Sequence, residues 1–126
     1  MELFKSRIVK MKYKTVFQLM SGDDAVIKSM ASQISNLQKA LNNEVAIEVY
    51  CHGRSIAFVL NEDGKWSETI SRLLVSSVEI YACENMLQSN GKSVEDLYPG
   101  IKTVAAAIAA IVVKQQEGWS YIKAGF

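Results

Sequence analysis

The stretch VEIYACENMLQSN, residues 78–90, is where the fold can be read. Its first part, VEIYAC, is rich in β-branched and aromatic residues and reads as a strand ending at Cys83. The second part, ENMLQSN, follows at once and reads as a short helix over 84–89 that stops at Asn90-Gly91. A strand that hands over directly to a helix is the start of a crossover unit. The same junction holds one of only two cysteines in the chain.

Working outward, strand and helix alternate. KTVFQLM (14–20) reads as a strand, and SGDD offers Ser21 or Asp23 as a helix cap. Residues 24–42 read as a helix, with Val26, Met30, Ile34, Leu37 and Leu41 on one face at steps of three and four. VAIEVYC (45–51) is a second strand, HGRS a loop, IAFVL a short apolar piece of ambiguous type and NEDG a turn. A helix over about 66–76 presents Trp66, Ile70, Leu73 and Leu74 inward. After VEIYAC and its helix, SVEDL reads as one further turn capped by Ser93 and Asp96. IKTV (101–104) is a short strand, residues 105–117 a helix ending at Gly118, and WSYIK (119–123) the last strand. Strands separated by helices predict an α/β fold: a three-layer α/β/α domain with a mainly parallel five-stranded sheet. No linker, low-complexity tract or internal repeat interrupts it.

The bulk numbers fit one domain. The 126 residues are 49% hydrophobic and 21% charged, enough to bury a core without staples. A net charge of +1 gathers neither nucleic acid nor anionic lipid, so neither is an expected partner. The longest apolar run, VAAAIAAIVV (104–113), has ten residues where a membrane span needs about 20. Residues 1–13 read as a basic extension without a signal peptide's apolar region, Met11 being an alternative start. Two cysteines, Cys51 and Cys83, make no disulfide framework and read as free thiols in a cytoplasmic protein.

The motifs exclude more than they assign. Phosphate-loop and dinucleotide fingerprints are lacking, and SGDD sets two acids where an anion would bind. One histidine and two cysteines without Cys-x-x-Cys spacing predict no metal site. Cys51 and His52 are neighbours in a strand, point to opposite faces, and cannot pair with each other. Cys51 reads as core. His52 ends a strand beside Gly53, where parallel sheets line their ligand crevice, so it is either a site residue or a satisfied loop histidine. Cys83 shares that location. The N–H groups of the helix that follows favour a thiolate, and Glu84 partly opposes them. A reactive thiol and a packed one are both open readings.

FQLMSGD on the first strand, HG after the second, YACENML after the third and QQEGWSYIK at the end follow the order of the DsrE/DsrF-like (YchN-like) family. The chain resembles that family, and the sulfur-relay subunits of DsrEFH and TusBCD type, over residues 14–126. The resemblance implies a DsrEFH-like fold, homotrimers or hexamers, and a persulfide-carrying cysteine that exchanges sulfur with donor and acceptor proteins, with no cofactor. By that resemblance Cys83 is the sulfur-carrying residue, and His52, Gly53 and Asn85 line its site. Gln115 and Gly118 match the family's segment before the last strand. Three glycine-type positions depart from the family: Ser55, Ser77 and the run Ala105–Ala107. The expected function is a sulfurtransferase-like carrier. The alternatives are a non-enzymatic oligomeric binding protein with a structural Cys83, and a small-molecule pocket protein.

Overall fold

Alternating apolar and β-branched side chains pair into five strands in the computed structural model, which describes residues 11–125. The strands are β1 (Tyr13–Leu19), β2 (Val45–Cys51), β3 (Glu79–Cys83), β4 (Lys102–Val104) and β5 (Ser120–Ala124). The helices are α1 (Asp24–Ala40), α2 (Ile56–Val59), α3 (Ser67–Val75), α4 (Glu84–Ser89) and α5 (Ala107–Gln116). Every predicted strand is present, within a residue at each end. Residues 1–10 of the predicted extension lie outside the described residues, and Tyr13 already belongs to β1.

The sheet order is β4-β3-β2-β1-β5 with every pair parallel. The first three crossovers step in one direction from β1 to β4, and the last returns past β1 to reach β5. Right-handed crossovers therefore place α1 and α3 on one face and α5 on the other. The expected three-layer α/β/α fold is the fold of the chain.

The two faces differ in chemistry. Val45, Ile47, Val49 and Cys51 of β2 share the α1/α3 face with Phe17 and Leu19 of β1, and all are buried. Against them pack Ile27, Met30 and Ile34 of α1 and Ile70 and Leu73 of α3. Asp23 caps α1, its Oδ1 accepting from the Ala25 N–H at 2.8 Å. The ambiguous IAFVL piece is the helical turn α2, which buries Phe58 edge-on to Trp66 at 5.9 Å. On the α5 face, β2 carries Glu48 and Tyr50 and β3 carries Glu79 and Tyr81, each in register with its counterpart. The two tyrosine rings stack at 4.9 Å, and each hydroxyl donates to the glutamate two residues before it at 2.6 Å. Lys114 of α5 reaches Glu48 at 3.4 Å, and Lys102 of β4 reaches Glu79 at 3.0 Å. The first pair, a lysine on a largely buried glutamate, pins α5 to the sheet, and the second ties β4 to β3. Burial, then the hydrogen bonds to the glutamates, holds both phenols well above their usual range, so they stay donors.

Two of the family's glycine positions are resolved by geometry. Ser77 turns the chain into β3 at φ 72°, a left-handed conformation that suits glycine and strains serine. Ser55 is fully buried and donates its hydroxyl to the His52 carbonyl at 2.8 Å, so a side chain fits there.

Candidate functional site

The row beyond Tyr50 and Tyr81 is occupied by His52 and Cys83. β2 ends at Cys51, but His52 keeps extended backbone (φ −148°, ψ 177°) and its N–H still bonds the Leu19 carbonyl at 3.1 Å. The side-chain alternation therefore runs one residue further, and His52 shares the α5 face with Cys83. Together they line one open-sided cavity of about 620 Å³ at the carboxyl edge of the sheet, with Gly53, Arg54, Asn85 and Ala107. All four residues expected from the sequence, Cys83, His52, Gly53 and Asn85, meet there. Cys51 does not. It lies on the opposite face with no exposure, and burial pushes its thiol up to about 12, the Ser55 hydroxyl offsetting this only in part.

Cys83 occupies the N-cap position of α4, yet its side chain makes no cap bond there. The donor anticipated from the following helix is replaced by one from α5: the Ala107 N–H points at Cys83 Sγ at 3.5 Å. The reason is facial. Cys83 points toward α5, whose first turn offers an N–H with no carbonyl partner within the helix. The helix dipole adds a partial positive charge at the same point. The Ala105–Ala107 departure costs this contact nothing, because the donor is backbone. Cys83 itself is only 6% exposed. Glu84, expected to oppose a thiolate, is tied to β4 by the Thr103 hydroxyl at 2.9 Å.

His52 is held by a relay that sequence reasoning missed. The Tyr121 hydroxyl donates to Gln18 Oε1, so the amide nitrogen faces His52 Nε2, at 2.8 Å. Nε2 accepts that N–H, and the ring proton resides on Nδ1. Burial pushes the imidazole below its ordinary range, so it is neutral at pH 7. Gly53 takes φ 62° directly after it, which lets the chain turn away from the cavity.

One signal could have found the His52–Cys83 row. Residues 48–52 and 79–83 both read Glu-x-Tyr-x followed by a chemically active residue, His52 in one case and Cys83 in the other. Laid in parallel register, the two echoes bring those residues side by side.

Fold and site together define a three-layer parallel α/β protein with a thiol and a neutral imidazole at the carboxyl edge of its sheet. The protein of unknown function MTH1491 from Methanobacterium thermoautotrophicum matches 89% of the chain and is itself 99% covered, at 30% identity and a TM-score of 0.84. The chain belongs to the same family as that protein. The conserved protein of unknown function BT1422 from Bacteroides thetaiotaomicron aligns over 90% of this chain and 97% of its own at 19% identity, with a TM-score of 0.69. The E. coli ychN protein aligns over 87% and 98% at 10% identity and 0.67, so the fold is the DsrE/DsrF-like fold of YchN. No protein-family model and no curated protein sequence matches the chain.

Proposed function

We propose that the chain is a sulfur carrier that uses Cys83. The observation that carries this reading is the sulfur atom facing the first N–H of α5 inside a cavity that also holds His52. The Cys83 thiolate attacks the outer sulfur of a sulfane-sulfur donor. A new S–S bond forms at Sγ, the donor's own S–S bond breaks, and its electron pair leaves with the donor. An acceptor thiolate then attacks the terminal sulfur of Cys83–S–SH, which stands one bond further out than Sγ, and releases the Cys83 thiolate. Asn85 and His52 line the path, and the reaction asks for no cofactor. Transfer of labelled sulfur to an acceptor thiol tests the reading: it is expected for the native chain and lost in Cys83→Ser, whereas Cys51→Ser keeps it. Equal transfer by the native chain and Cys83→Ser overturns it.

The 6% exposure of Cys83 favours a second reading, a small-molecule pocket in which the thiol is packed. Loss of all transfer with retention of a ligand in the cavity would select it. The assembly reading is a cytoplasmic homotrimer or hexamer. It is supported by Ile108, Val112 and Val113, each more than half exposed on α5.

A further inference from the structure

We infer that the sulfur donor is a small anionic compound, and that Arg54 recognises its charge. The inference rests on the carrier reading of Cys83 and adds the substrate class to it. Two observations carry it. The first is access. Cys83 is 6% exposed and borders a concave space of about 620 Å³. A protein-borne persulfide would have to push a chain segment into that space to bring its sulfur to bonding distance. A compound of a few heavy atoms enters whole. The second is charge. No carboxylate is among the described residues lining the cavity, and Arg54 is its one cation. Arg54 is exposed, and its guanidinium has no hydrogen bond or ion pair among the described residues. Gly22 lets the Arg54 backbone sit close: a Cβ there would lie 2.6 Å from the Arg54 carbonyl oxygen.

The chemistry needs such a cation. A thiolate approaching an anion is repelled, and a cation beside the approach offsets that repulsion. A guanidinium pairs with a planar or tripodal oxyanion through two parallel N–H groups. Thiosulfate illustrates the balance. The Cys83 thiolate attacks the outer sulfur, the Sγ–S bond forms, the S–S bond breaks, and sulfite departs with the electron pair and the two negative charges it carries. A carboxylate-bearing small persulfide shares the same recognition, with the carboxylate on Arg54 and a thiolate as leaving group.

The test is the loading rate of Cys83 in the full chain, followed by mass spectrometry, with three probes: thiosulfate, glutathione persulfide and hydroxyethyl persulfide, whose organic part is uncharged. Arg54→Gln should slow loading from at least one of the two anionic donors about tenfold or more and leave hydroxyethyl persulfide within about twofold. Arg54→Lys should recover part of the loss, because it restores charge without the fork. Which anionic donor responds separates the sulfonate from the carboxylate source. Equal loading by Arg54→Gln and the native chain from both anionic donors overturns the inference and leaves the carrier reading standing. So does loading by hydroxyethyl persulfide alone. Failure of all three donors on the native chain overturns both.

Discussion

Lys114→Met probes the contact that fixes α5, and with it the N–H that faces Cys83. The Glu48 side chain is 5% exposed, and after the substitution its remaining partner is the Tyr50 hydroxyl at 2.6 Å. Removing one partner from a buried ion pair costs about 3–5 kcal/mol. The 3.4 Å separation and the 25% exposure of Lys114 place this pair at the low end, about 3 kcal/mol. Lys114 also lies 4.4 Å from the Trp119 ring centre, a contact worth about 0.5–1 kcal/mol. Methionine keeps most of the stem's packing, so the expected loss is about 3–4 kcal/mol. Urea unfolding at fixed protein concentration should show it as a lower midpoint with an unchanged slope. The double variant Glu48→Gln with Lys114→Met should recover at least half, because a neutral amide still bonds Tyr50 and leaves no charge behind. A single-variant loss under about 1 kcal/mol, or a double variant no better than the single, would refute the reasoning.

Ser77→Gly should stabilise the chain by about 0.5–1 kcal/mol, because it releases a left-handed serine, less the extra chain entropy of glycine; a destabilised variant in thermal unfolding contradicts this. His52, the single histidine, should titrate by NMR below its ordinary 6.5. The folded-state value is depressed, so the unfolded chain takes up the proton first. Its contribution to stability is whole above the unfolded value and is lost as pH falls through the folded one. An unshifted or raised midpoint would remove the half-buried, amide-bound imidazole from the account. Light scattering should find an oligomer at micromolar concentration. Val112→Glu should split it with native far-UV circular dichroism, since Val112 is 54% exposed on α5; a monomeric native chain ends the assembly reading.

Much of the fold is written locally. β2 carries so continuous a run of strand formers that its limits, Val45–Cys51, are legible from VAIEVYC alone. The uniformly apolar stretch before Gly118 likewise announces α5, and the structure leaves Ile108, Val112 and Val113 on its outer side as that pattern implies. IAFVL was not legible because five apolar residues suit a strand and a buried helical turn equally; the bond from the Leu60 N–H to the Ile56 carbonyl at 3.1 Å decides it. The candidate site was legible as residues but not as an arrangement. His52 and Cys83 were each placed at a strand end, yet their shared row depends on the register of β2 against β3, which shows only when the two Glu-x-Tyr-x echoes are laid side by side and not in either strand alone. The donor to Cys83 comes from 24 residues downstream and the relay to His52 spans Gln18 and Tyr121, so only tertiary packing brings them in.

The central claim is that Cys83, not Cys51, carries sulfur. Peptide mass spectrometry of the chain after incubation with a small persulfide addresses it most directly. The account predicts a gain of one sulfur on the peptide holding Cys83, removed by a reductant and absent in Cys83→Ser, with Cys51 unmodified behind its fully buried thiol. A sulfur found on Cys51 alone, or on neither cysteine with any donor, contradicts it.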